Sequence, residues 1–316
     1  MKTVIIYIVA SIAAAGNAGG SHGYVFEGKW GKHGERPGEF GHLAHLALAA
    51  DGTVYVVDSG KSRIQYFTPK GSLKGLWGSF GREEGRLYWP RGIAIAPHGR
   101  VYVADTYNHR IQRFTPTGSF LIKWGSKGYE YGQFKHPSGV AVAPNGNVYV
   151  ADSANRRIQY FTPGGSFLGC WGFGFSGYPN DVAVAANSDV YVVDGGGVKY
   201  FTSTGSFLGE WGSEGSGPGE FVGARGLAIG PGGRIFVTDA WNCRVQYFTP
   251  KGRYRGEWGK RGYGNGQFLD PYGVAVSRYG TRVYVTDKSA FRVQYFRRSP
   301  PAVSPTSLGR VKAIFR

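Results

Sequence analysis

Acids and bases recur along this 316-residue chain at a spacing short enough for one side chain to act on the other. Asp58, Asp105, Asp152, Asp239 and Asp287 each precede an arginine by five residues, at Arg63, Arg110, Arg157, Arg244 and Arg292. A carboxylate beside a guanidinium can orient a substrate, but a catalytic pair is needed once. A pair used five times at one spacing serves the architecture, so these residues are expected to meet as structural contacts across a short turn. Two glycine-rich stretches fail as phosphate loops. Gly172-Phe-Gly-Phe-Ser-Gly177 has a dinucleotide-binding spacing, yet it runs into Tyr178-Pro179 with no helix whose N-terminus could face a phosphate. Gly60-Lys61-Ser62 resembles the end of a phosphate loop, but Tyr55 stands where its first glycine belongs. No nucleophile–base pair and no His-Glu-x-x-His sequence is present. His42, His45 and His136 do not share one phase of the sequence pattern, whereas a catalytic zinc needs three converging imidazoles. No metal and no other cofactor is expected.

The elements that would position these residues follow from a repeat. Residues 137–172 contain four short β-rich runs separated by turn residues, which is one four-stranded unit. Trp-Gly recurs at Trp30, Trp77, Trp124, Trp171, Trp211 and Trp258, mostly 47 residues apart. An Asp ends the second strand of every unit, including Asp194 of the fourth, which lacks the paired Arg. Each unit alone would leave a face unburied, so six copies predict an all-β, six-bladed β-propeller of four-stranded blades. The first Trp-Gly precedes any complete repeat, and the sixth repeat stops after its third strand at Phe296. Tyr24–Trp30 is therefore expected to be the outer strand of the last blade, covering an edge that would otherwise invite aggregation.

The pattern Gly-x-Phe-x-x-Pro-x-Gly-Val-Ala-Val, followed by Val-Tyr-Val-x-Asp-x-x-Asn-x-Arg-Ile-Gln-x-Phe, resembles the NHL repeat over residues 24–296. That resemblance implies the propeller and leaves the function open. Proteins with this repeat include amidating lyases, RNA- or protein-binding domains of tripartite-motif ubiquitin ligases, and sensor domains of bacterial receptor kinases. The lyases would hold zinc on histidines near the channel mouth, which this chain does not reproduce in one ring.

With strands lettered a to d from the centre outward, the d–a and b–c connections should share one face, the top. The a–b and c–d turns, such as Asn145-Gly146 and Thr162-Pro163-Gly164, should share the other. Binding is expected on top, where the longer loops are. Just before the strand-a glycine, Ala44, Arg91, Ser138, Asn180, Arg225 and Tyr272 should ring the channel mouth, with His45 at the glycine position of the first repeat. Arg91 and Arg225 could hold an anion there through charge-assisted hydrogen bonds, or pair with nearby acids. The Trp171–Trp211 interval is 40 residues, so both top connections of the fourth blade are short. This predicts a notch edged by Phe173, Phe175 and Tyr178, with either exposed rings or rings folded onto the blade. Tyr107 and Trp241 should reach solvent from the b–c loops of repeats two and five. The repeated tryptophans should be blade packing.

Residues 1–18 read as an export signal: Lys2, an apolar run from Val4 to Ala15, then Gly16-Asn17-Ala18. Two cysteines, Cys170 and Cys243, make no disulfide framework, and a core this large can do without one. The net charge of +17 raises the question of nucleic acid. Eight acids are interspersed among the top loops, and residues 297–316 carry five basic residues and no acid. Neither gives the dense basic stripe with aromatic interleaving that RNA binding needs, and export argues against RNA as well. The Pro-containing tail, residues 297–316, should be extended or disordered and could adhere to an anionic surface. The reading is an exported, non-enzymatic scaffold binding a protein, peptide or surface glycan. The alternatives are a lyase or hydrolase on the same propeller, and an RNA-binding or ubiquitin-ligase-associated relative.

Overall fold

A computed structural model describes residues 23–172, 175 and 177–299. The expected signal at 1–18 and the tail from 300 onward lie outside them. Residues Gly23–Arg298 form one unit of six antiparallel sheets, each of four strands. Strands a of the six blades are Leu43–Leu48, Ile93–Ile95, Pro137–Val142, Asp181–Val184, Ala224–Ile229 and Pro271–Val276. Each neighbours the next, and the sixth neighbours the first, so blades 1 and 4 stand on opposite sides of the axis. In the sixth sheet, Tyr24–Trp30 pairs antiparallel with Arg292–Arg298, from Tyr24↔Arg298 to Trp30↔Val293. Strand c of that blade thus runs two residues past Phe296.

Alternation drives the packing. Val101-Tyr-Val-Ala-Asp105 and its counterparts are buried along their whole length, because both faces of strand b meet another blade. At the bottom, strand-b tyrosines bolt blades together. The hydroxyls of Tyr55, Tyr102, Tyr149, Tyr191 and Tyr284 donate to the carbonyls of Pro116, Pro163, Ser203, Pro250 and Pro69 in the next blade. Blade 5 carries Phe236 instead, and Tyr24 packs edge-on against it with ring centroids 5.4 Å apart. The tryptophans are packing residues as expected. A Cβ on Gly165 would lie 2.8 Å from the Trp124 ring, so only glycine lets that indole cover the c–d turn of the following blade. The d–a loops push Phe40, Leu87, Phe134, Phe221 and Phe268, all fully buried, between blades. Burial of each contributes about 1.5–3 kcal/mol.

Candidate functional site

The Asp–Arg pairs hold the top loops in place. Asp105 sits at the end of strand b; its Oδ1 accepts from the Tyr88 backbone N–H at 2.7 Å and its Oδ2 from Arg110 Nε at 2.7 Å. The rest of the Arg110 guanidinium donates to the carbonyls of Arg82, Glu83 and Arg86 in the d–a loop. The same clamp recurs at Arg63, Arg157, Arg244 and Arg292. Burial pushes the carboxyls of Asp105, Asp152 and Asp287 up, against the pull of their hydrogen bonds. Asn108, Asn155 and Asn242 in the b–c loops donate to carbonyls of the d–a loops, which puts both loop sets at one end. The clamps fix the loop geometry on which any top-face site depends.

Four of the six expected mouth positions come together. Ala44, Arg91, Arg225 and Tyr272 line one cavity of about 70 Å3, with His42, Trp89 and Lys288 in its wall. Ser138 and Asn180 do not join them: the Ser138 hydroxyl donates to the Pro179 carbonyl at 2.9 Å, and Asn180 Nδ2 to the Ala224 carbonyl at 3.0 Å. Both side chains tie neighbouring inner strands. His45 is buried at the axis and meets Asp181 of blade 4, Nδ1 to Oδ2 at 3.2 Å. Arg91 and Arg225 have no carboxylate partner among the described residues, so of the two readings of these arginines the pairing with nearby acids is not what the mouth shows.

From the cavity wall a row of rings crosses the tops of blades 1 to 3. His42 meets Trp89 at 5.4 Å between centroids, Trp89 meets Tyr107 at 6.4 Å, and Tyr107 meets both Tyr88 and His136. Phe80 extends the row beyond Tyr88. Phe80, Trp89 and Tyr107 are exposed. Trp89 and His136 have φ of 47° and 53°, a left-handed conformation that bulky residues rarely adopt, and Gly223 takes the equivalent place in blade 5 with φ 75°. Trp241 stands apart on the top of blade 5, 63% exposed, as expected.

The family model of the NHL repeat matches residues 87–114, 134–161 and 221–248. These segments are NHL repeats. Each begins at the buried Leu or Phe of a d–a loop and ends at the last Phe of strand c, so an NHL repeat holds the end of the loop, strands a to c and the Asp and Arg of the clamp, while the loop carbonyls that the Arg grips precede it. No curated protein matches the chain. Among solved structures, a Bacteroides thetaiotaomicron protein of unknown function is 14% identical over 88% of this chain and 77% of its own, with a TM-score of 0.71. Virginiamycin B lyase from Staphylococcus aureus is 13% identical over 88% of this chain and 99% of its own, at 0.61. A gluconolactonase from Xanthomonas campestris is 13% identical over 90% and 99%, at 0.63. At such identities the likeness shows the fold alone.

The NHL pattern breaks at blade 4 as the short interval predicts, but the notch is different in kind. Phe175 does not edge it in solvent: it is buried and packs on Phe201 with centroids 5.8 Å apart, because the shortened loop must fill with Phe175 the space that a d–a Phe fills elsewhere. Phe173 lies outside the described residues. Tyr178 is exposed, with the Arg156 guanidinium carbon 5.2 Å from its ring centroid. Gly197 stands where the NHL Arg would be, and Lys199 replaces the buried Gln of the other blades, reaching Glu210 at 2.8 Å. A cavity of about 370 Å3 opens on the flank, lined by Trp171, Lys199, Phe201, Phe207 and Glu210. Of the expected thiols, Cys243 is buried and Cys170 half-buried, and both are free.

The sequence reading missed Trp89, Lys288, Asp181 and the ring row around Tyr88. Signals existed for two of them. Lys288 follows the strand-b Asp where other repeats have Ser59, Thr106, Ser153, Gly195 and Ala240, and Asp181 occupies the glycine position of strand a.

Proposed function

We propose that this protein is an exported, non-enzymatic binding scaffold that recognises a protein or peptide on the top face of its NHL propeller. One observation carries this reading: the cationic cavity at the channel mouth continues without a gap into an exposed row of rings. Arg, Trp and Tyr dominate the energetics of protein recognition when they cluster, and here Arg91, Trp89 and Tyr107 do so. Holding Trp89 and His136 in left-handed backbone costs about 1–3 kcal/mol each, and glycine in blade 5 satisfies the same turn. Glycine would relieve that cost, so the rings at Trp89 and His136 are kept at the expense of backbone strain. Export rests on residues 1–18 as a signal. The basic residues 297–316 would add attraction to an anionic surface.

The test is a pull-down from native cell envelope with wild type beside a Trp89→Ala, Tyr107→Ala, Trp241→Ala variant. The reading predicts proteins recovered by wild type and lost from the variant. Identical recovery from both contradicts it, and recovery of a polysaccharide alone replaces the protein partner by a glycan. Chemical turnover of the captured ligand would move the protein to the enzymatic reading that its structural neighbours, a lyase and a gluconolactonase, allow.

A further inference from the structure

The channel-mouth cavity carries positive charge that the protein does not neutralise. Arg225 and Lys288 flank one ring: the Arg225 guanidinium carbon is 5.4 Å and Lys288 Nζ 5.5 Å from the Tyr272 centroid. Arg91 lines the same space from blade 2. Among the described residues, Asp270 is the one carboxylate paired with any of these three cations, 3.6 Å from Lys288 Nζ. Arg225 Nε is buried and has no hydrogen-bond partner among the described residues. Burial, and then repulsion by Arg225 and Arg91 against the pull of Asp270, holds Lys288 below the usual lysine range. His42 in the wall is lowered too, by burial and then by Lys288 and Arg91, against the pull of Asp270 and Asp58.

Three cations and one acid in a half-buried space are costly unless an anion shares it, since desolvated charge needs a partner. Chemistry narrows the choice: the anion must belong to a partner that also covers the exposed rings, and a peptide offers both an acid and side chains that pack on Trp89 and Tyr107. A guanidinium donates in pairs, which matches the planar carboxylate.

We propose that this cavity is a carboxylate subsite, anchoring an acidic group of the bound peptide while the Trp89–Tyr107 rings hold the residues beside it. The inference rests on the top-face reading above. The carboxylate comes from one of two sources, a peptide C-terminus or an acidic side chain.

The test is calorimetric titration of the intact protein with four probes. N-acetyltryptophan offers a terminal carboxylate, and the α-amide of N-acetylglutamic acid offers a side-chain one. N-acetyltryptophanamide offers neither, and inorganic phosphate is the fourth probe. At least one acid should bind roughly tenfold tighter than the amide, and which acid binds identifies the source. That binding should fall roughly tenfold in Arg225→Gln and in Arg91→Gln, and be largely kept in Arg225→Lys, whose folding is checked by circular dichroism. Equal binding of acids and amide, no binding of either acid, or unchanged binding in both Gln variants overturns the subsite; so does phosphate binding tighter than both acids. If the acids fail while the envelope partner is still lost from the ring variant, the subsite is wrong and the top-face reading stands.

Discussion

His45 and Asp181 join opposite blades across the propeller axis, Nδ1 to Oδ2 at 3.2 Å, with both side chains buried. They stand at the strand-a position that is Gly92, Gly139, Gly226 and Gly273 in the other four blades. Those glycines have no room for more: a Cβ on Gly139 would lie 2.6 Å from the Asp181 Cα, and one on Gly273 2.7 Å from the His45 Cα. Asp181 also accepts from the Leu227 N–H at 3.0 Å, so it ties blade 4 to blade 5 as well. A double-mutant cycle of His45→Ala and Asp181→Ala, read by chemical denaturation, should give a coupling of about 0.5–3 kcal/mol, the range of side chains in direct contact. Additive losses would mean that the pair does not brace the axis.

The clamp arginines should behave as structure. Arg110→Ala leaves Asp105 buried without its cation and removes one donor from each of three loop carbonyls. A loss of about 3–5 kcal/mol in unfolding free energy is expected. Arg100→Ala, at an exposed bottom turn, should change stability by less than about 0.5 kcal/mol. Near-equal effects of the two would contradict the assignment.

Much of the fold was legible in the sequence because a propeller states each rule six times. The Asp–Arg spacing, the Trp-Gly period and the glycine of the a–b turn recur in most or all blades, so strand order and faces follow from one unit. Tyr24–Trp30 could be placed by phase alone. The site was legible only in part, since it is built from departures that meet in space. Arg91, Arg225 and Tyr272 were found because one position was compared around the ring. Asp181 and Lys288 sit at other positions and escaped that comparison. Phe175 was left between two placements, exposed or folded onto the blade, because sequence shows a loop to be short but not which ring turns inward to fill the gap.

His109 reports on the ring row through its own titration. Burial, with His136, Lys127 and Lys135 nearby, lowers its pKa to about 4, and its Nδ1 accepts from the His136 backbone N–H at 3.1 Å. The neutral ring is the folded form. Its contribution to stability is present above the unfolded value of about 6.5 and is lost as pH falls through about 4. Imidazole resonances followed by NMR should show His109 titrating last on acidification, with a midpoint near 4. A midpoint at or above 6 would contradict the buried acceptor role.

The N-terminal strand should matter more than its length suggests. It covers Arg292–Arg298 and brings Glu27 to Arg282, with Nε to Oε2 at 2.6 Å. Removing residues 1–30 exposes a full strand edge. The truncated protein is expected to melt at a lower temperature and to aggregate in light scattering, whereas removal of residues 1–22 alone should leave both unchanged. Indistinguishable melting of the two truncations would show that the strand is dispensable.

Binding on the top face is the central claim, and site-specific photocrosslinking tests it most directly. A photoreactive residue is placed at Trp241 or Tyr107 on top, or at Asn145 or Gly164 below, and each variant is irradiated in native cell envelope. The account predicts one common protein adduct from positions 241 and 107, and none from 145 and 164. Adducts from the bottom turns alone, or equally from both faces, would contradict it.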